Sequence, residues 1–162
     1  ESGNLPSCLS YLAGLEWTNT KINRPVIVGI EVVDTRIDST TNGNCGPNTM
    51  YNNVIYDYTN YGKVIGAAID TEGTSLKFFG QTKISRSINV KYSTKLVTIN
   101  DMNWSEHRLS SKRQTGLINL LGASWSKNNI SINSNIYHQN FDLNKANIKS
   151  GYGVGFSAST MF

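Results

Sequence analysis

The feature that most constrains the fold is a strict alternation of side-chain types over residues 150–162. One set of alternate positions is mostly apolar (Tyr152, Val154, Phe156, Ala158, Thr160, Phe162), and the other is mostly small (Gly151, Gly153, Gly155, Ser157, Ser159, Met161). Because successive side chains of a strand point to opposite faces, this stretch predicts a strand with one apolar face and one small, uncharged face. A strand of a water-soluble protein usually carries charge on its outward face, so the pattern favours a membrane-spanning β-barrel strand. An ordinary C-terminal strand of a β-sandwich is the alternative.

Similar alternation recurs along the chain and predicts an all-β protein. The predicted strands are 10–19, 26–33, 61–70, 75–84, 88–96, 115–125, 130–137 and 150–162, with a further short strand at 54–58. These make about eight strands of roughly ten residues, the length that a tilted strand needs to cross a bilayer. Both sides of 115–125 are apolar, so the pattern leaves its outward side open. We therefore predict an antiparallel transmembrane β-barrel formed by the single domain 1–162, or the C-terminal part of a larger barrel.

The composition agrees with strands and turns and argues against a helical enzyme. Charged residues make up only 16% of the chain and hydrophobic residues 38%, and the mean hydropathy is −0.32. A barrel needs one apolar face per strand, whereas a large dry core needs more apolar residues than this. No run approaches the roughly 18 consecutive apolar residues of a transmembrane helix.

The charge balance permits an anionic partner. The formal net charge is +4 and the isoelectric point is near 9.1, which allows acidic polysaccharide or lipopolysaccharide as a partner. The alternative, which the scattered charges favour, is a few solvated or lumenal lysines without such a partner. The lysines and arginines are scattered rather than gathered in a stripe, so we do not expect nucleic acid to bind.

The stretch 31–70 carries a specific series of motifs. It begins with Glu31-Val32-Val33-Asp34-Thr35 at a predicted strand end, and continues with Cys45-Gly46, Tyr51, Tyr56, Tyr61-Gly62, Ile65-Gly66 and Asp70. This order and spacing resemble the Wzi-type capsule-assembly outer-membrane family. That family often has His after the first Tyr and Arg before the second Gly, where this chain has Asn52 or Asn53 and Lys63. The terminal Phe162 also resembles the sorting signal of bacterial outer-membrane barrel proteins.

The resemblance implies a large β-barrel in the bacterial outer membrane. Its members help to attach or assemble capsular polysaccharide or exopolysaccharide and act as lectins rather than enzymes. This chain would be the C-terminal portion, completed by N-terminal strands of a longer parent or by another envelope protein. The implied partners are outer-membrane lipid, lipopolysaccharide and surface polysaccharide, and no cofactor is expected.

Two kinds of side chain are candidates for glycan binding. Carboxylates can bond to sugar hydroxyls, and aromatic rings can stack on the apolar faces of sugars. The candidates are Glu31, Asp34, Tyr51, Tyr56, Tyr61, Asp70 and Trp104. The alternative is that the ionisable residues of the predicted lumen face (Glu16, Glu31, Asp70, Lys77, Lys83, Lys91, Lys95) form structural ion pairs.

Aromatic residues near strand ends suit the girdle that anchors a barrel at the two membrane–water interfaces. The candidates are Trp17, Trp125, Tyr152 and Phe162. The two cysteines, Cys8 and Cys45, lie in turn-like settings and can form a disulfide in an oxidising compartment, although sequence alone does not decide the pairing.

Nothing in the sequence favours catalysis or a metal site. The histidines, His107 and His138, have neither metal-ligand nor triad spacing. Glu16 and Glu31 could face each other across a hairpin as a glycosidase pair, but we interpret them as structural groups. We predict a non-catalytic, lectin-like protein. The alternatives are a self-contained eight-stranded outer-membrane barrel with a structural or adhesive role, and a secreted β-sandwich lectin-like domain.

Overall fold

A computed structural model describes residues 10–20, 24–36, 59–60, 63–64, 69 and 71–160. The strands in these ranges are β1 (Tyr11–Asn19), β2 (Val26–Asp34), β3 (Thr59–Asn60), β4 (Lys63–Val64), β5 (Thr74–Lys83), β6 (Ile88–Ile99), β7 (Gln114–Lys127), β8 (Ile130–Gln139) and β9 (Gly151–Thr160). Within these ranges, no helix is long and apolar enough to cross a bilayer.

Seven of the strands form one antiparallel sheet in the order β1-β2-β5-β6-β7-β8-β9. Every strand pairs with its sequence neighbour in the sheet, as expected for hairpins joined by turns and loops. The predicted all-β, antiparallel architecture is therefore confirmed. In the described ranges β1 pairs only with β2, and β9 only with β8, so this sheet is open.

Most of the predicted strand at 61–70 lies outside the described residues, and its described residues (63–64 and 69) are not in the main sheet. β2 pairs directly with β5, with Val32 opposite Leu76, so no strand fits between them. The described part of this segment contributes only β4, which forms a separate pair with β3, and Ile69, which lies in a turn and is buried. Short apolar alternation does not distinguish a sheet strand from a segment that buries an apolar residue elsewhere. The sheet consequently has seven strands here rather than eight.

The strand register defines two faces of the sheet. One row that crosses all seven strands consists of Trp17, Val28, Gly80, Tyr92, Leu121, Ile136 and Val154. We call the face that carries this row the outer face. The adjacent row consists of Glu16, Gly29, Phe79, Ser93, Leu120, Tyr137 and Gly153, and it belongs to the opposite, inner face. The sequence pattern left open which side of strand 115–125 faces outward. The register places Leu121 on the outer face and Leu120 on the inner face.

The outer face exposes large apolar side chains on strand after strand. Leu15 is 78% exposed, Val154 74% and Phe156 72%. Exposed apolar surface of this extent marks a face that meets another apolar phase or a partner.

The two ends of the sheet differ in their connections. Short turns join the strands at one end, which we call the turn end. There Asn128 and Asn129 link β7 to β8 with φ of 48° and 64°, as in the two-residue turns that match the twist of a hairpin. The described residues 35–36, 69 and 71–73 and the segments 100–113 and 140–150 lie at the other end, the loop end.

The buried apolar cluster of the described residues lies at the loop end. It consists of Val33, Val97 and Ile99 from the inner face, together with Ile69, Phe141 and Leu143 from the loops. The loops therefore fold over the inner face at that end instead of extending away from the sheet.

Candidate functional site

The loops at the loop end are bonded to one another. We call the described residues 35–36, 69, 71–73, 100–113 and 140–150 the loop cap. Thr35 exchanges hydrogen bonds with Gly73, its N–H donating to the Gly73 carbonyl at 2.8 Å and its Oγ1 accepting from the Gly73 N–H at 3.1 Å. Asp101 N–H donates to the Glu72 carbonyl at 2.8 Å, so 71–73 is held between the end of β2 and the 100–113 segment.

Asn100 fixes the start of the 100–113 segment. Its side chain is fully buried and its φ is 54°, a backbone conformation that Asn tolerates better than most residues. The Asn100 amide donates to the carbonyls of Trp104 and Ser110 at 2.8 and 2.9 Å, and its Oδ1 accepts from the Trp104 N–H at 2.7 Å. The start of this segment is thus an ordered turn built around one amide.

His107 joins the same segment to residues 71–73. Its ring is fully buried, and Nδ1 accepts from the backbone N–H groups of Leu109 and Ser110 at 3.2 and 3.4 Å. Because Nδ1 accepts, the ring proton lies on Nε2, which donates to the Thr71 carbonyl at 3.0 Å. His107 is therefore a structural, neutral imidazole rather than a catalytic or metal-binding group.

The 140–150 segment crosses the inner face over Gly116. A Cβ on Gly116 would lie 2.3 Å from Asn140 Oδ1 and 2.4 Å from Phe141 Cδ1. Asn140 continues the β-ladder beyond the end of β8, since its Oδ1 accepts from the Leu117 N–H at 2.7 Å and its N–H donates to the Leu117 carbonyl at 3.2 Å. The absence of a side chain at Gly116 thus lets Phe141 enter the buried cluster.

A chain of ion pairs runs along the rim of the loop end. Arg36 contacts Asp34 at 2.6 Å and Asp101 at 3.3 Å, and Arg113 contacts Asp101 at 3.0 Å. The hydrogen bond to Asp34 raises the pKa of Arg36 above its already high ordinary value. Each partner is partly open to solvent, so each pair contributes at most about 1 kcal/mol to stability.

A second charged group lies on the inner face. Glu31 lies opposite Lys77, and Lys77 lies opposite Lys95. Lys77 Nζ is 3.9 Å from Glu31 Oε2, and both side chains are one-third exposed. Glu31 therefore agrees with the alternative in which ionisable residues of the inner face form structural ion pairs. Glu16 lies opposite Gly29 rather than Glu31, so the hairpin does not align the two carboxylates.

A polar recess opens on the inner face nearer the turn end. Its volume is about 240 Å³. It is lined by Gln81, Asn89, Lys91, Gly122, Ala123, Ser124, Asn133 and Asn135 from β5 to β8. A Cβ on Gly122 would lie 2.5 Å from both Lys91 Cε and Asn135 Oδ1. Gly122 is therefore the floor over which these two side chains meet.

Tyr137 lies outside the lining of this recess, two residues beyond Asn135 on the same face of β8, and its ring lies over β9. A Cβ on Gly153 of the neighbouring strand would lie 1.9 Å from Tyr137 Cζ. The phenol end of Tyr137 therefore fills the space that a side chain at position 153 would need. The residue is nevertheless 50% exposed. A half-exposed ring beside amides is the combination that a sugar requires, because sugars have apolar ring faces and polar edges.

The glycan-binding candidates from the sequence do not form a single cluster. Glu31 lies on the inner face, Trp104 is half-buried in the loop cap with its ring 6.5 Å from that of His107, and Asp34 bonds to Arg36 at the rim. Tyr51, Tyr56, Tyr61 and Asp70 lie outside the described residues, as do Cys8, Cys45 and Phe162. Lys77, Lys83, Lys91 and Lys95 all lie on the inner face, as their alternation predicts.

Sequence reasoning expects asparagine side chains to bond to sugar hydroxyls, but it did not single out Asn133, Asn135 or Tyr137. The signal was present, since Asn133, Asn135 and Tyr137 share one alternate set of β8, and Gly153 offers the space for the ring. It was weak because Asn is common in turns as well as on barrel interiors. In the described ranges, no group of three or more His, Cys, Asp or Glu residues is placed to hold a metal ion.

Comparison with solved structures finds this fold in another protein. The match is Wzi, an outer membrane protein involved in group 1 capsule assembly in Escherichia coli that is described as a carbohydrate-binding β-barrel. The TM-score is 0.68 and the sequences are 26% identical over 98% of this chain. The chain resembles Wzi. The resemblance inferred from residues 31–70 is thus confirmed in three dimensions.

The match covers 34% of the Wzi chain, in its C-terminal part. This chain therefore spans about a third of the length of the protein that it resembles. No protein-family model matches the chain, and no curated protein matches it by sequence.

Proposed function

We propose that this protein is an outer-membrane β-barrel protein that binds surface polysaccharide, without catalysis, during the attachment or assembly of capsule or exopolysaccharide. The observation that carries the proposal is a sheet with an exposed apolar outer face and a polar inner face, whose fold matches a carbohydrate-binding outer-membrane barrel. A barrel wall requires this division because one face meets lipid and the other meets water.

The outer face supports a position in the membrane. Transfer of one large apolar side chain from water to an apolar phase is favourable by roughly 1.5–3 kcal/mol. Many such side chains are exposed on this face. The three girdle candidates among the described residues lie on this face, with Trp17 and Trp125 towards the turn end and Tyr152 towards the loop end. A β-sandwich would instead cover one face with a second sheet, whereas the described residues contain only the two-stranded β3–β4 pair besides the main sheet.

Closure is part of the proposal. Edge strands such as β1 and β9 offer unpaired N–H and C=O groups, and in a bilayer these groups need partners. The barrel would be completed by further strands joined at these two edges, either in a longer protein or from another envelope protein. Lipopolysaccharide and phospholipid would then surround the outer face.

Cell fractionation and detergent dependence test the membrane part of the proposal. The native protein should fractionate with the outer membrane, resist extraction by alkaline carbonate and need detergent to remain monodisperse. A protein that is monodisperse in plain buffer would favour the soluble lectin alternative.

Glycan binding tests the functional part. Capsular polysaccharide should bind the purified protein, and cells that lack the protein should release polysaccharide into the medium. Tyr137→Ala and Trp104→Ala should each weaken binding severalfold, because stacking on a sugar contributes about 1 kcal/mol. Tyr56→Ala extends the test to a candidate outside the described residues.

Tyr92→Ala is the matched control for Tyr137→Ala, since Tyr92 is 49% exposed but lies on the outer face. If wild type, Tyr137→Ala and Trp104→Ala bind equally, neither aromatic side chain belongs to the binding site. No polysaccharide binding by the wild type would reject the lectin function and favour a structural or adhesive barrel.

A further inference from the structure

The recess on the inner face combines one cation with several amides. Gln81, Lys91, Gly122 and Asn135 lie in one row across β5 to β8, and Asn89, Ser124 and Asn133 lie in the next row towards the turn end. All of these side chains point to the inner face, and they surround a volume of about 240 Å³. Their arrangement is set by register alone, so it does not depend on a flexible loop.

The charge in the recess is not compensated by the described residues. None of the described carboxylates lies within 4.0 Å of the Lys91 ammonium, whereas Lys77 has Glu31 at 3.9 Å. The described inner face carries four lysines (Lys77, Lys83, Lys91, Lys95) against two glutamates (Glu16, Glu31). An anionic group in the recess would therefore meet an attractive potential.

The amides supply both donors and acceptors. Asn and Gln side chains each offer a carbonyl oxygen and an NH₂ group, which suits hydroxyl groups that also donate and accept. Asn89 Oδ1 is buried from solvent and has no hydrogen-bond partner, so a small shift of this amide towards a ligand hydroxyl would satisfy it.

The size of the recess limits the ligand. Its volume of about 240 Å³ is smaller than the roughly 300–1,000 Å³ of pockets that enclose drug-sized ligands. The recess is therefore of a size that suits a single sugar ring. Gly122 keeps this volume available, because any side chain there would displace Lys91 and Asn135.

Resting on the proposed function, we infer that this recess binds one acidic sugar unit, of the hexuronate class, within a surface polysaccharide. The Lys91 ammonium holds the carboxylate, and the amides of Asn89, Asn133 and Asn135 bond to ring hydroxyls. The protein thus prefers acidic to neutral polysaccharide.

The test compares oligogalacturonate with its methyl ester, which keeps every ring and hydroxyl but lacks the negative charges. Binding is measured calorimetrically with the purified full chain in detergent at one ionic strength. The wild type should bind the acid about tenfold more tightly than the ester, as expected for one charge-assisted hydrogen bond. Lys91→Gln should reduce affinity for the acid to that for the ester, and Lys91→Arg should keep the preference.

Lys127→Gln is the matched control, because it removes the same charge from the turn end outside the recess. Its acid-to-ester ratio should equal that of the wild type. Asn133→Ala and Asn135→Ala should weaken binding of acid and ester equally, which also tests the recess if Lys91→Gln fails to fold.

Three results would overturn the inference while leaving the proposed function intact. In all three, capsular polysaccharide still binds. The first is equal affinity of the wild type for acid and ester, the second is equal loss in Lys91→Gln and Lys127→Gln, and the third is unchanged binding of both sugars in the asparagine variants. A wild type that binds no polysaccharide at all would reject the proposed function itself.

Discussion

Gly116 shows how a missing side chain determines the shape of the loop end. It lies beneath Asn140 and Phe141. Both side chains are so close that a Cβ at position 116 would overlap with them. The sequence predicted a strand through Gly116, but not that the 140–150 segment would lie on that strand. Phe141 and Leu143 carried the only hint, since a segment with two large apolar residues needs a surface to bury them.

Replacing Gly116 with Ala should displace the 140–150 segment. The new Cβ would overlap with Asn140 and Phe141, and overpacking of this kind typically costs about 1–3 kcal/mol of stability. Urea unfolding in detergent should show the loss, and limited proteolysis should cleave 140–150 faster. Gly155→Ala is the control, because a Cβ at Gly155 meets nothing within 4 Å. Equal stability of the two variants would contradict the packing described for Gly116.

His107→Ala should destabilise the loop cap. It would leave the N–H groups of Leu109 and Ser110 and the carbonyl of Thr71 without their partner in a buried place, at a cost of about 1–3 kcal/mol. His138→Ala should cost less, since His138 is half-buried and its ring contacts Tyr152 at the surface. Thermal unfolding of both variants makes the comparison, and a larger loss in His138→Ala would refute the structural role of His107.

At the scale of elements, β7 shows the limit of reading alternation. Residues 115–125 are apolar on both sides, so the sequence could not choose between Leu120 and Leu121 as the outward residue. Pairing with β6 and β8 decides it, because Leu121 lies opposite Tyr92 and Ile136, both of the outer face. A strand's orientation is thus set by its neighbours when its own pattern is ambiguous.

Leu121→Lys and Leu120→Lys form a matched pair that tests this orientation. A lysine on the lipid face of a barrel costs about 2–4 kcal/mol near the bilayer midplane, whereas an inward lysine faces water. Leu121→Lys should therefore reduce folding into lipid vesicles far more than Leu120→Lys. Heat-modifiable migration in gels measures the folded fraction. The opposite order would mean that the assigned faces are reversed.

At the scale of the whole molecule, the two barrel hypotheses differ in how the edge strands β1 and β9 pair. A self-contained small barrel would close by pairing β1 with β9, and a larger barrel would pair each of them with another strand. The described residues show seven strands in one open order, and the match covers a third of a longer barrel protein.

Cysteine cross-linking tests closure directly. In a background with Cys8→Ser and Cys45→Ser, Leu15→Cys in β1 is combined in turn with Tyr152→Cys, Val154→Cys and Phe156→Cys in β9. We expect no disulfide within one chain, because these strands are not neighbours in a large barrel. Val28→Cys with Gly80→Cys, which lie opposite each other in β2 and β5, is the positive control. Efficient cross-linking of β1 to β9 would establish the small, self-contained barrel.

The sequence by itself determined the all-β class, the alternating faces and the resemblance to Wzi, because these depend on the two-residue period of a strand and on local motifs. It also located the lysines of the inner face. The tertiary structure decided which strands are neighbours, and hence that β2 pairs directly with β5 and that Leu121 faces outward. It alone brought Lys91, Asn133 and Asn135 around Gly122, since residues from different strands meet through register rather than through spacing along the chain.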